Sequence, residues 1–163
     1  MYVQRAVFVA AIVASAFFSA SVHADSQEAR DKARGKYLIE IGGCNDCHTT
    51  GFAQSGGTTP ETEWLKGSNL GFRGAWGTTY PTNLRESIGK VSESEWVARA
   101  KSLKTRPPMP WWVLNTMTEN DLAALYKYVK SLGAAENTVP AYVPPEEDPS
   151  TPYIQWLLPP EAN

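Results

Sequence analysis

The sequence predicts an all-α domain with long loops, on three observations. Apolar residues recur at helical spacing in three segments, and a serine or threonine that can cap a helix stands at the start of each. Between the first two segments the chain is rich in glycine and threonine and has no sustained period. No stretch shows a convincing alternation of polar and apolar residues, which is the pattern of a half-buried strand.

Residues 1–24 have the pattern of a secretory signal peptide. Arg5 precedes an apolar run, and the small-x-small sequence of residues 22–24 follows it. We expect cleavage after Ala24 and export to the periplasm. A retained N-terminal anchor is the alternative, but the apolar run is shorter than the roughly 20 residues that span a bilayer.

The remaining chain has the size of one domain. Without its first 24 residues the 163-residue chain keeps 139 residues, of which 14 are basic and 17 acidic, a net charge of −3. Because there is no basic excess, a nucleic-acid partner is not expected. No later stretch is long and apolar enough to span a membrane.

The first helix is expected over about residues 27–41, with Ser26 as its N-cap. Its apolar residues recur every four positions and are expected to face the core: Ala29, Ala33, Tyr37 and Ile41, with Leu38 beside them. The pair Gly42-Gly43 should end this helix.

The only two cysteines of the chain follow directly, in the sequence Cys44-Asn-Asp-Cys47-His48. This C-x-x-C-H motif indicates covalent attachment of one haem c, with thioether bonds from Cys44 and Cys47 and with His48 as the proximal iron ligand. A disulfide here would close a very small loop and constrain little. A thioredoxin-like dithiol needs a preceding strand, and a zinc site needs a fourth ligand from Cys or His that the mature chain lacks.

The region Thr49–Thr82 is expected to be a long loop that wraps a large rigid object such as a haem. Candidates for the apolar wall of the haem cavity are Phe52, Leu65, Leu70, Phe72, Leu84, Trp96 and Leu103. Candidate donors to the haem propionates are Trp76, Tyr80, Asn83, Arg85 and Arg106.

Two further helices are predicted from their caps. Ser92 and Glu95 form a capping box, and the helix that follows should end before the prolines at 107 and 108. Thr118 is expected to cap the last helix, and Gly133 fits its C-terminal cap. The apolar stripe of the last helix is Leu122, Leu125, Tyr126, Val129 and Leu132.

Few residues of the mature chain can supply a sixth iron ligand. Its only histidine is His48, and its methionines are Met109 and Met117. Prolines flank Met109 on both sides, so its thioether can be held in place at little ordering cost. Met117 lies one residue before the cap of the last helix and is more simply a core residue. We therefore expect Met109 to be the distal ligand.

These motifs together resemble the class I c-type cytochromes. The similarity covers about residues 27–133: Cys44-Asn-Asp-Cys-His48, Tyr80-Pro-Thr-Asn-Leu84, Met109-Pro-Trp and the helix after Thr118 occur in the family's order. The resemblance implies a fold in which the N- and C-terminal helices cross, at Gly35 and an aromatic such as Tyr126, while long loops wrap the haem. The Tyr80–Leu84 stretch is similar to that of cytochrome subunits or partners of bacterial dehydrogenases.

The resemblance implies a one-electron carrier rather than an enzyme. Its donor would be a dehydrogenase or a quinol-oxidising protein, and its acceptor an oxidase or another cytochrome. Two alternatives remain: a non-catalytic haem subunit of a bacterial dehydrogenase complex, and a haem enzyme or sensor whose sixth ligand is displaceable.

The chain is therefore expected to have three segments: a signal peptide (1–24), a cytochrome c domain (25–133) and a Pro-rich acidic C-terminal extension (134–163). The extension holds seven prolines and five acidic residues and no basic one, whereas residues 64–110 hold eight basic and three acidic residues. It also carries six large apolar residues: Tyr142, Tyr153, Ile154, Trp156, Leu157 and Leu158. We expect part of it to pack on the domain, over the basic region, or on a partner.

Overall fold

A computed structural model describes residues 25–156. The predicted signal peptide and the last two apolar residues of the extension, Leu157 and Leu158, lie outside the described residues. Within them, no helix combines the length and the apolar character needed to cross a bilayer.

The described residues are mainly helical, as predicted, with a small sheet. The helices are α1 (25–41), α2 (Cys44–His48), α3 (Leu84–Gly89), α4 (Glu93–Ser102), α5 (Trp111–Thr116) and α6 (Glu119–Ser131), and a 3₁₀ turn covers Glu61–Glu63. The strands are β1 (Gly71–Gly74), β2 (Gly77–Thr79) and β3 (Tyr153–Gln155).

The predicted caps of the later helices are confirmed. Ser92 and Glu95 form a complete capping box at the start of α4, and the Thr118 hydroxyl accepts the Asp121 N–H at the start of α6. Gly133 follows α6 in the left-handed conformation. Helix α4 packs on α6, whose buried side chains are Leu122, Ala124, Leu125, Tyr128 and Val129.

The predicted buried face of α1 is wrong except at Leu38, which is buried. Ala29, Ala33, Tyr37 and Ile41 are all exposed, the last two by 49% and 61%. The buried positions are Gly35, Leu38 and Ile39. A strict four-residue spacing drifts around the helix by about 40° at each step, so it marks a spiral rather than one face. Ser26 is also already helical, so it does not precede the helix as its cap.

Gly35 faces α6 at very short range. A Cβ at Gly35 would lie 2.1 Å from the carbonyl oxygen of Ala124 and 2.7 Å from Cβ of Tyr128. Only glycine permits this approach of the two helices. The aromatic residue at the contact is therefore Tyr128, whereas the Tyr126 hydroxyl donates to the carbonyl of Val91.

The three-stranded sheet is a second difference from the sequence analysis, in which no strand is predicted. Its order is β2-β1-β3, with β1 antiparallel to β2 and parallel to β3. Strand β3 comes from the C-terminal extension and pairs with residues more than 80 positions earlier, Gly71 with Tyr153 for instance. The strands are short, and β1 and β2 contain glycine, so the sequence shows no alternation of polar and apolar residues. Pairing with distant strands, rather than burial of one face, holds them in place.

Arg85 fixes the loop before α3 to the end of α6. Its buried guanidinium donates to four backbone carbonyls, those of Glu61, Thr62, Trp64 and Leu132. Burial lowers the pKa of Arg85 from its ordinary value. These hydrogen bonds offset the free-energy cost of burying the cation, because a buried charge must be hydrogen-bonded.

The extension lies along the loop region. The Asn83 side chain donates to Ala135 O, and Asn137 donates to Lys66 O. Further on, Thr78 and Val143 exchange a pair of backbone hydrogen bonds of 2.7 and 3.0 Å. The large apolar side chains of the extension stay about half exposed, by 39–48%. Backbone pairing therefore orders this segment more than apolar burial does.

Candidate functional site

A cavity of about 370 Å³ opens in the domain and brings together the four predicted ligand residues. Cys44, Cys47 and His48 line one part of its wall, and Met109 lines another. Its volume lies in the ordinary range for cofactor sites, about 300–1,000 Å³.

The turn at Gly42-Gly43 sets the thiols in the cavity wall. Gly43 has φ of +64°, a left-handed conformation that bulkier residues avoid, and α2 starts immediately after it. The side chain of Thr49 then ties α2 to the loop: its hydroxyl donates to Asn45 Oδ1 (2.7 Å) and accepts the Leu65 N–H (2.8 Å). The C-x-x-C-H segment is thus held at both ends.

Cys44 and Cys47 both stand in the cavity wall and form no disulfide with each other. Burial raises the pKa of Cys44 to about 11, and burial also raises that of Cys47. This raised pKa argues against a reactive thiolate pair, which has a lowered pKa.

His48 is buried and oriented by a backbone group. Its Nδ1 lies 2.8 Å from the carbonyl oxygen of Thr82, which accepts its proton. Burial lowers the pKa of His48, so the neutral ring is favoured. With Nδ1 protonated, the lone pair is on Nε2, the arrangement that a metal-binding histidine needs.

The two methionines have different surroundings. Met109 lies in the cavity wall between Pro108 and Pro110, which also line it. Met117 ends α5 and packs against the hydrophobic core, and the cavity wall does not include it among the described residues. The geometry therefore brings Met109, and not Met117, together with His48.

The family model for cytochrome c matches residues 32–133, more than half of the chain. The chain belongs to the cytochrome c family. It is a class I c-type cytochrome, a family whose haem c is covalently attached, and Cys44 and Cys47 stand in the attachment motif. Membership of this family supports a role in haem-based electron transfer with redox protein partners. No curated protein and no solved structure matches the chain significantly.

The wall of the cytochrome's cavity fits an apolar macrocycle. Of the predicted wall residues, Phe72, Leu84, Trp96 and Leu103 line it. The other three lie elsewhere: Leu65 is fully buried in the core, Phe52 packs edge-on against Trp64, and Leu70 is half-buried in the loop before β1. Residues not predicted complete the wall: Ile39, Ile88, Val91, Ala100, Leu114, Leu125 and Val129.

Two of the five predicted propionate donors, Tyr80 and Arg106, line the cavity. Asn83 caps α3 by accepting the Glu86 N–H, and Arg85 is committed to backbone carbonyls. The indole of Trp76 packs over Gly74 outside the cavity wall, and its buried Nε1 has no hydrogen-bond partner among the described residues.

The residues present therefore fit a haem c. Two cysteine side chains, an imidazole and a thioether share one apolar cavity. Tyr80 and Arg106 also line it, although the Tyr80 hydroxyl lies 2.9 Å from Thr151 Oγ1 and the Arg106 guanidinium lies over the Tyr142 ring. The Thr82 carbonyl is not among the residues that the sequence singles out, because a backbone oxygen has no sequence signature. The only sequence feature near Thr82 is the Tyr80–Leu84 stretch, which is one of the motifs that carry the family resemblance.

Proposed function

We propose that this cytochrome is an exported one-electron carrier of the periplasm. In this proposal Cys44 and Cys47 hold one haem through thioether bonds, and His48 and Met109 are the iron ligands. The observation that carries it is the single cavity whose wall includes all four side chains.

The contacts of the fold support the finer architecture of the family. The close approach of Gly35 to Ala124 and Tyr128 supports a crossing of the first and last helices. Two ion pairs flank it, Arg34 with Asp121 at 2.9 Å and Lys127 with Asp31 at 2.7 Å. The segments 49–83 and 103–110 contribute Phe72 of β1 and the loop residues Tyr80 and Met109 to the cavity, which supports a chain that wraps the haem between its helices.

The ligand set favours electron transfer over catalysis on the iron. The haem supplies the one-electron redox step, and the protein shields it. If His48 and Met109 both bind the iron, they would leave no coordination position for an oxygen species. A thioether ligand raises the reduction potential, and an apolar wall does so too because it disfavours the extra positive charge of the ferric state.

Transient redox partners are part of the proposal. A dehydrogenase or quinol-oxidising protein would supply the electron, and an oxidase or another cytochrome would accept it. In this proposal a signal peptide over residues 1–24 directs export of the protein, which then meets these partners outside the cytoplasm.

A first experiment measures the mass and redox behaviour of the mature protein made in a host with haem-attachment machinery. We expect the denatured protein to weigh one haem more than the chain, and a reversible redox titration to show one electron. The double variant Cys44→Ala/Cys47→Ala should lose the added mass.

Carbon monoxide distinguishes a carrier from an enzyme or sensor. With both axial positions filled, the ferrous spectrum of the unmodified protein should stay unchanged under carbon monoxide. Full conversion to a carbon monoxide complex would overturn the carrier proposal and favour a haem with an available sixth position. Stable co-purification with a dehydrogenase would instead favour a permanent subunit.

A further inference from the structure

We propose that the C-terminal extension positions Met109, by fastening residues 106 and 107 of the methionine loop to the sheet that it helps to build. The methionine loop is the segment 103–110 between α4 and α5. This inference rests on the proposed function, in which Met109 is the distal ligand, and it adds a segment outside the matched residues 32–133 to the haem site.

The extension is firmly joined to the sheet. Strand β3 pairs with β1, and Val143 exchanges two backbone hydrogen bonds with Thr78 of β2. Between these points Arg73 of β1, whose side chain is only 16% exposed, donates to Glu147 O (2.7 Å) and Pro145 O (3.2 Å) and pairs with Asp148. The extension therefore crosses the sheet as a structured strap.

Two contacts join the methionine loop to this assembly. The Arg106 guanidinium lies over the ring of Tyr142, with 3.9 Å between Cζ and the ring centroid. The Thr79 hydroxyl donates to the carbonyl of Pro107 over 2.8 Å. Tyr142 is itself held, because its hydroxyl donates to the carbonyl of Trp76 over 3.0 Å.

These contacts act two and three residues before Met109. The segment 103–106 has no regular secondary structure and lacks the hydrogen-bond ladder that a helix would provide. A thioether carries no charge that would hold it on the iron. The fraction of time that it is bound therefore depends on how closely the chain keeps Met109 in its binding position. Holding Arg106 and Pro107 restricts where Met109 can go.

The strength of the contact sets the expected effect. An external ligand binds the iron only in the fraction of molecules whose methionine has moved away, and its apparent affinity scales with that fraction. Tyr142 is 39% exposed, so its contact with Arg106 has the strength of an exposed cation–π pair. Loss of such a pair should raise the methionine-off fraction about 2- to 5-fold.

The test measures the affinity of imidazole for the ferric holoprotein, from the shift of its main absorption band. Tyr142→Leu should tighten imidazole binding about 2- to 5-fold. Tyr142→Phe keeps the ring over Arg106, so its affinity for imidazole should stay close to that of the unmodified protein. Tyr37→Leu is the matched control: it removes a tyrosine of similar exposure, 49%, which lies under Arg34 on α1 and not on the extension. Its imidazole affinity should match that of the unmodified protein.

A double-mutant cycle tests the route of the effect. Arg106 lines the cavity, so Arg106→Gln alone also alters the haem surroundings. In that background, however, Tyr142→Leu should produce no further tightening. An undiminished effect of Tyr142→Leu without Arg106, or an equal effect of Tyr37→Leu, would overturn the inference.

Met109→Leu separates the inference from the proposed function. If Met109→Leu strongly tightens imidazole binding while Tyr142→Leu leaves it unchanged, the strap does not position Met109 and the ligand assignment stands. If Met109→Leu leaves imidazole binding unchanged, Met109 is not the distal ligand, and the proposed function loses its ligand set. Circular dichroism of each variant checks that it is folded, and an unfolded Tyr142→Leu is replaced by Tyr142→Met, with the same criteria.

Discussion

Gly35→Ala is the substitution that tests the approach of α1 to α6 most sharply. The added methyl group would lie 2.1 Å from Ala124 O, 2.7 Å from Ala124 C and 2.7 Å from Tyr128 Cβ. The two nearest of these atoms belong to backbone, so no rotation of a side chain relieves the clash. The helices must separate, which also disturbs Leu38 in the core and Ile39 in the cavity wall.

The size of the effect follows from two opposed contributions. Overpacking a close-packed contact costs about 1–3 kcal/mol, and clashes with backbone lie at the upper end. Alanine regains about 0.5–1 kcal/mol relative to glycine within a helix. The net loss of unfolding free energy should be about 2 kcal/mol, or about 5–10 °C in melting temperature for a domain of this size.

Denaturant unfolding of the holoprotein, followed by circular dichroism, measures this loss. Gly89→Ala is the control, because its Cβ would meet no heavy atom within 4 Å. It should leave stability unchanged or raise it slightly. Equal stability of Gly35→Ala and Gly89→Ala would refute the close helix contact.

Two further predictions concern the loops that frame the site. Hydrogen bonds from Lys36 and then Tyr128 lower the pKa of Glu61, so this carboxylate contributes stability above its unfolded pKa that is lost as pH falls through the lowered folded value. Glu61→Gln should therefore make the unfolding free energy less sensitive to pH below 4.5, measured by denaturant titration at several pH values. Asn83→Ala removes the cap of α3 and the bond to Ala135 O, and should cost about 1–2 kcal/mol. A loss below about 0.3 kcal/mol in urea unfolding would contradict that assignment.

Local chemistry made part of this cytochrome predictable. The C-x-x-C-H motif, the capping box at Ser92 and the cap at Thr118 each act within five residues, so the sequence displays them directly. The neighbouring prolines of Met109 are also visible in the sequence, and the structure places this residue in the cavity wall.

What could not be predicted depends on distant partners. The buried face of α1 is set by the demand for a glycine against α6, which no pattern within α1 reveals. The sheet needs β3 to meet β1 across 80 residues, and the strands are too short to show a period. The partner of His48 is a backbone oxygen at Thr82, which carries no side-chain signal.

The extension shows the same limit in another form. Its apolar residues predicted packing on the domain, and the segment does lie on the domain, yet their side chains remain about half exposed. Its order comes from strand pairing and from the contacts of Arg73, and the sequence pointed only to the general attraction between an acidic tail and a basic region.

The ferric absorption spectra of two matched variants test the central claim most directly. Methionine-ligated ferric haem c has a weak far-red band, and leucine preserves the volume of methionine without a sulfur ligand. Met109→Leu should keep the covalently bound haem and lose this band, whereas Met117→Leu should retain it. Loss of the band in Met117→Leu, with the band intact in Met109→Leu, would contradict the site described for this cytochrome.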